Sequence, residues 1–382
     1  MALLALASSC ALAGRKPVGE FALAHAVPQD PPEAFSNALY QTVGVSLSPG
    51  HAVQWANNGK AHEAIAALIE KAESSIHVVT FIWSEGKSSE QLMKALNAAV
   101  NRGCACRVIL DSVGSASFDE RPLRAAGCEV RRFRPLPGQD DLARNHRKLV
   151  IVDGKAGVIG GFGIDDKWRG RGKKEEEWRD SNMVARGPAV LQMQQAFAEN
   201  WQEAGGSLLP LAAFPLPEKV GGAWAAFVGS TEHSVVTISD RLIQFLIAAA
   251  KKRVWIANAY FVPSEPVLEL LAKKAAAGVD VRILTAGEKT DTRVYLPIQR
   301  ERVARLLEQG AQGFEYDPAM MHSKTMLVDT EILTVGSANL DALSLNKMEE
   351  GNLVVRDAEA AAQLEKDLLD DFRHSKPMKL RK

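Results

Sequence analysis

The chain of 382 residues carries 46 Lys and Arg against 46 Asp and Glu, a formal net charge of zero. With 46% hydrophobic and 24% charged residues, the composition excludes a disordered or fibrous protein and, at about 100 to 200 residues per domain, points to two domains. The charge balance also argues against a protein that grips nucleic acid through many phosphate contacts, because such binding rests on a basic excess.

In chain order, the apolar stretch Met1 to Ala13 is too short to span a bilayer but suits the h-region of an export signal. It lacks a positively charged n-region, and two exits compete: Ala-Leu-Ala before Gly14, or a lipobox-like Ala-Ser-Ser before Cys10. Residues 1–30 are therefore expected to form a signal or lipoprotein-like segment and linker. From Gly14 onward no apolar run approaches about 18 residues, so no transmembrane helix is expected and any membrane contact is peripheral.

Residues 61–73 place Ile65, Leu68, Ile69 and Ala72 on one helical face, and SIHVVTFIW, ending at Trp83, reads as a buried strand. A helix over about 88–102, a stop at Gly103 and the strand CRVILD complete a βαβ unit. The order recurs: a helix near 240–252, the strand RVWIANAYF, a helix over about 264–277, Gly278, and the strand VRILT. Each glycine stands four residues before an arginine, Arg107 or Arg282, that opens a similar strand. Two comparable α/β halves follow. Pro215 to Trp224 is rich in breakers, so the boundary falls near 215, with domains over 40–214 and 222–376.

Cys10, Cys104, Cys106 and Cys128 are too few and too irregular for a disulfide framework or a structural zinc site. Cys104 and Cys106 flank one residue of a strand, so buried free thiols are expected. The segment 167–178, KWRGRGKKEEEW, reads as a solvated loop of mixed charge, with a lipid-interface loop anchored by Trp168 and Trp178 as the alternative. The arginine-rich run from Arg121 to Lys148 is either an exposed face or a patch for anionic headgroups or a nucleic-acid backbone.

Each half carries the pattern His-x-Lys-x4-Asp: His146, Lys148, Asp153, and His322, Lys324, Asp329. The histidines are 176 positions apart, nearly the offset of the glycines and arginines. At about 5 to 6% each for Lys and Asp, eight histidines would give roughly 0.02 such matches by chance. His and Lys two apart on a strand share a face, while Leu149 to Val152 bury the rest. Glycine-rich turns, GGFGID around Gly160 and GSANLD around Gly336, follow the next strand and allow close approach to a ligand.

On HRKLVIVDG, GGFGI and WRDSNMVARGPAV in the first half, and NAYFVPS, HSKTMLVD and GSANLDALS in the second, the chain resembles the phospholipase D superfamily, most closely its bacterial cardiolipin synthase branch, over about residues 50–372. The resemblance implies two similar α-β-α sandwich halves related by a pseudo-two-fold, with the active site at their interface. It implies a double displacement at phosphorus in which His146 is the nucleophile, forming a phosphohistidine. His322 is the general acid and then the base; neutral and protonated imidazole are both accessible near pH 7.

Lys148 and Lys324 would stabilise the non-bridging oxygens, with Asn339 as a hydrogen-bond donor. Asp180 and Glu350 would fix the imidazole tautomers, Glu349 competing for the second place. Gly161 and Ser337 line the substrate side, and Asp153 and Asp329 belong to the motif but tie down backbone. Neither a metal nor a cofactor is implied; a di-histidine metal site lacks a carboxylate cluster at ligand spacing.

Two positions depart from the pattern, Gly163 and Met348 standing where relatives have Asn. The expected reaction joins two phosphatidylglycerols into cardiolipin and glycerol at a peripheral membrane surface of the bacterial envelope. A phospholipase D-type hydrolase and a superfamily nuclease are the alternatives. A lipid-binding scaffold with a decayed site is disfavoured by two intact His-Lys pairs.

Overall fold

The computed structural model describes residues 26–135, 143–231 and 237–380. The leader-like segment expected over the first residues lies, up to residue 25, outside the described residues. The first half contributes strands β1 (Ser48–Trp55), β2 (Ser75–Thr80), β3 (Ala105–Asp111), β4 (Glu129–Phe133), β5 (Leu149–Val152), β6 (Ala156–Gly160), β7 (Trp178–Arg179) and β8 (Asn182–Arg186). The second contributes β9 (Ala223–Ser230), β10 (Arg253–Asn258), β11 (Asp280–Ala286), β12 (Gln312–Tyr316), β13 (Met320–Met321), β14 (Lys324–Val328), β15 (Ile332–Gly336), β16 (Glu350–Arg356) and β17 (Ser375–Pro377).

Fifteen of these form one sheet in the order β17-β12-β11-β10-β14-β15-β16-β9-β1-β8-β6-β5-β2-β3-β4. Apart from the added edge strand β17, the order is a palindrome about the antiparallel β9–β1 pair. The duplication read from the sequence is thus a pseudo-two-fold in space.

Within each half, βαβ crossovers through the helices Lys87–Asn101 and Glu265–Ala276 make β2–β3 and β10–β11 parallel, since a parallel pair needs such a connection. Strands β2, β5, β6, β14 and β15 are buried at every position, so helices cover both faces of the sheet and near-continuous apolar runs replace alternation. Strand β2 stops at Thr80, short of the expected Trp83. From there the chain leaves the sheet, and the Trp83 amide turns to the Ser115 hydroxyl.

Asp153 and Asp329 occupy equivalent turns with φ of 55° and 51°. Asp153 accepts hydrogen bonds from the amides of Glu73, Ser74 and Ser75. Asp329 accepts from those of Lys251, Lys252 and Arg253 and from Gln29. Each carboxylate therefore clamps the start of the neighbouring strand, β2 or β10, at the end of its strand far from the histidine. The donors hold both carboxyls below the ordinary range against the opposing effect of burial.

The free-thiol expectation fails for Cys106, which is disulfide-bonded to Cys128; among the described residues only Cys104 is a free thiol. Parallel register explains it: Arg107 faces Glu129 across β3 and β4, so the residues just before them meet, at a Cα separation of 4.6 Å. The bond closes 22 residues, a loop for which chain entropy gives about 3 kcal/mol. Cys106→Ser with Cys128→Ser should lower unfolding stability by up to that amount in denaturant melts; unchanged stability would show that the bond constrains nothing.

Candidate active site

The two histidine motifs lead into β5 and β14, which hold equivalent places in the two halves of the sheet. Two short parallel pairings bring the halves together. In one, β13 pairs with β7, Met321 facing Arg179, and the His322 amide donates to the Arg179 carbonyl at 2.7 Å. In its counterpart, Asn145 bridges Glu349 and the His146 amide donates to the Glu349 carbonyl at 2.9 Å. Each histidine is thereby set against the residue that precedes a carboxylate of the opposite half.

The acids consequently cross over. Glu350, from the second half, takes Nδ1 of His146 at 2.9 Å, and Asp180, from the first, takes Nδ1 of His322 at 2.8 Å. With Nδ1–H donating to a carboxylate, the lone pair of each ring lies on Nε2. Glu350 also accepts from Ser337 Oγ at 2.5 Å and from Ser344 Oγ. Asp180 also accepts from the Ser181 amide at 2.8 Å and from Trp168 Nε1 at 2.7 Å. Gly161 is required by this contact: a Cβ there would stand 2.5 Å from Asp180 Oδ1.

Glu349, the competitor for a histidine, is committed elsewhere. It pairs with the buried Arg147 at 3.0 Å and accepts from Asn200. Arg179 makes a second such pair, with Asp371 at 2.8 Å, and in both the arginine comes from the first half and the acid from the second. Such paired, hydrogen-bonded buried charges fix geometry more than they add stability.

Lys148 and Lys324 are 2% and 3% exposed. Their ammonium groups rest on the carbonyls of His146 at 2.6 Å and His322 at 2.5 Å. Burial lowers Lys148 to about 7 and Lys324 to about 8 against the opposing pull of Glu350 and Asp180, and Lys324 adds to the depression of Lys148. Burial also lowers both imidazoles, His322 to about 4, and a lysine of each half contributes to the depression of both rings. Asp180 and Glu350 are held below the ordinary carboxylate range by the histidines and lysines, although burial opposes this. The site thus gathers four basic groups whose protonated forms burial disfavours, and an anion between them would offset that cost. Asn339 is buried with its Oδ1 unpartnered, and since the amide's two ends are interchangeable it presents a donor or acceptor without a protein partner.

Two further expectations change. Trp168 and Trp178 are neither solvated nor interfacial: they are 1% and 8% exposed and pack on His322, with ring centroids at 5.3 and 4.8 Å. The basic run from Arg121 is neutralised internally. Arg121 pairs with Asp119, Arg124 and Arg132 with Glu120, Arg134 with Glu203, Arg144 with Asp111 and Arg147 with Glu349. Arg131 lies over the Trp201 ring. Six of the seven arginines are thus engaged with carboxylates, which leaves little of a patch for polyanions. Reasoning from the sequence missed Trp168, Trp178 and Ser344 as parts of the site. The signal for Ser344 was there, as its place in GSANLDALS repeats that of Trp168 in the first half.

The family described as "Cardiolipin synthase, PLD-like domain" matches residues 65–201 and 243–372. A cardiolipin synthase of Geobacillus kaustophilus is 32% identical over 342 residues, 87% of this chain and 68% of its own length. Cardiolipin synthase 1 of Bacillus anthracis is 32% identical over 340 residues, 85% of this chain and 66% of its own. Among solved structures, a phosphatidylserine synthase of Haemophilus influenzae matches 90% of this chain and 91% of its own with a TM-score of 0.69 at 13% identity, a likeness of fold.

Proposed function

This chain belongs to the cardiolipin synthase, phospholipase D-like family, and on that premise we propose that it joins two phosphatidylglycerol molecules into cardiolipin and releases glycerol. The observation that carries the reading is the crossed arrangement: each imidazole emerges from one half, is oriented by a carboxylate of the other, and stands beside a buried lysine.

In the proposed sequence, Nε2 of His146 attacks phosphorus of the first phosphatidylglycerol. The glycerol oxygen leaves with the proton of His322, giving a phosphatidyl-histidine. His322, now neutral, takes the proton from a hydroxyl of the second phosphatidylglycerol as that oxygen attacks phosphorus and His146 departs. Atoms and protons balance: His146 is freed, and His322 ends the cycle holding the proton it gave up at the start. Lys148, Lys324 and Asn339 would neutralise charge growing on the non-bridging oxygens.

Burial first, then Lys324, lowers His322 to about 4, which leaves it neutral at pH 7 before substrate binds. A phosphodiester anion between the two lysines favours the charged form of every neighbouring base, so substrate binding itself loads the acid. The proposed partner is an anionic phospholipid surface of the bacterial envelope, met peripherally. No helix among the described residues is long and apolar enough to cross a membrane.

The test incubates the purified protein in excess chelator with phosphatidylglycerol vesicles, or with single-stranded DNA, and reads products by mass spectrometry. Cardiolipin with equimolar glycerol is expected. Phosphatidic acid as the sole lipid product would make water the acceptor, oligonucleotides would make the protein a nuclease, and loss of turnover on chelation would require a metal.

A further inference from the structure

The two halves part company beside the catalytic pair. Under the 176-residue offset that relates His146 to His322, Gly161 corresponds to Ser337, Gly163 to Asn339 and Trp168 to Ser344. In the second half, Ser337 and Ser344 donate to Glu350, and the buried Asn339 adjoins them, its backbone amide donating to Ser344 Oγ at 2.8 Å. In the first half, both glycines lack a side chain, and one residue does the work of two.

The indole of Trp168 supplies the donor, Nε1 to Asp180 Oδ2 at 2.7 Å, on the same oxygen that receives Nδ1 of His322. Its ring also takes the volume: a Cβ at Gly163 would lie 2.7 Å from the ring carbons. The ring is 1% exposed, tilted against Trp178 at 4.5 Å and edge-on to His322 at 5.3 Å. It is held between a carboxylate and an imidazole rather than merely filling a core.

We propose that Trp168 is a positioning residue that replaces a serine donor and an asparagine at once, and that through Asp180 it sets the orientation and proton affinity of His322. A hydrogen bond to the carboxylate spreads its charge away from the imidazole, so less of that charge is left to stabilise imidazolium. The pocket is consequently asymmetric, with one amide, Asn339, instead of two for the phosphoryl oxygens, and an aromatic wall on the His322 side. The chemical consequence rests on the proposed transfer reaction; the effect on His322 does not.

The test follows His322 by NMR titration of the full-length, histidine-labelled protein, alongside the vesicle assay. Gly163→Asn alone should lower turnover at least about 100-fold, because the new side chain meets the indole. Adding Trp168→Ser restores the serine and asparagine found at the equivalents of Ser344 and Asn339, and should recover activity to within about tenfold of the parent, with His322 titrating within about 0.3 unit of it. Trp168→Ala in the same Gly163→Asn background has the same space but no donor, and His322 should titrate roughly half to one unit higher than in the serine version. Trp168→Phe, which keeps a ring and loses only the donor, should move His322 in the same upward direction if the small replacements do not fold. Identical titrations of the serine and alanine versions, or Gly163→Asn tolerated beside an intact Trp168, would overturn the proposal. A parent protein that makes no cardiolipin yet shows the titration shifts would overturn only the proposed function.

Discussion

His146→Ala and His322→Ala should each reduce cardiolipin formation by about 10⁴-fold or more, while leaving the protein folded. The two rings act as one unit in the proposed double displacement, so losing either removes the whole covalent route, and the combined variant should be scarcely worse than either alone. The variants should nevertheless differ with the substrate. A phosphatidyl ester of p-nitrophenol carries a leaving group that needs no proton, so His322→Ala should release one equivalent of p-nitrophenol in a burst, whereas His146→Ala should release none. Equal residual rates on that ester would mean that the roles assigned to the rings are wrong. Alanine at 146 leaves the fully buried Glu350 with its Ser337 and Ser344 donors, which limits the cost of uncovering a charge. A melt beside each assay separates lost chemistry from lost fold.

The second large effect concerns the crossed acids. Glu350→Gln and Asp180→Asn keep size and most hydrogen bonds but replace an acceptor facing Nδ1 with an amide that can donate to it. The imidazole then favours the tautomer with its proton on Nε2, the nitrogen that must attack or receive a proton. A loss of about 10² to 10⁴ in turnover with little change in apparent substrate affinity is expected. Because the acids cross between halves, Glu350→Gln should abolish adduct formation at His146, and Asp180→Asn should chiefly impair the steps that need His322. If Glu349→Gln proved as damaging to His146 chemistry as Glu350→Gln, the pairing described would be at fault. Glu349 faces Arg147 and Asn200, and its loss should appear in stability first.

Why some of this was legible in the sequence and some was not comes down to what a linear pattern encodes. Periodicity and stops located the helix Lys60–Glu70, the strands β2, β3, β10 and β11 and the helices between them, because those depend on neighbours along the chain. The shared offset of glycines, arginines and histidines revealed the duplication for the same reason. Strands β1 and β9, which join the halves, escaped. SPGHAVQW contains a proline and a glycine that read as breakers, and AWAAFVGS begins inside what reads as a linker.

Cys106–Cys128 and the division of labour between Glu349 and Glu350 both depend on the register between elements far apart in sequence, which no spacing within one element specifies. Trp168 was misread for a related reason. Surrounded by Lys, Arg and Gly, it has the composition of a solvated loop. It is buried because Gly163 leaves a hole of its own shape and Asp180 offers its N–H a partner.

In the proposed transfer two imidazoles from opposite halves share one phosphorus, and rapid quench of His322→Ala with the p-nitrophenyl ester tests that directly. Without the base for the second step the adduct should accumulate, and peptide mass spectrometry should place one phosphatidyl group on His146 for each active chain. No adduct despite a full burst, or an adduct on any residue other than His146, would contradict it.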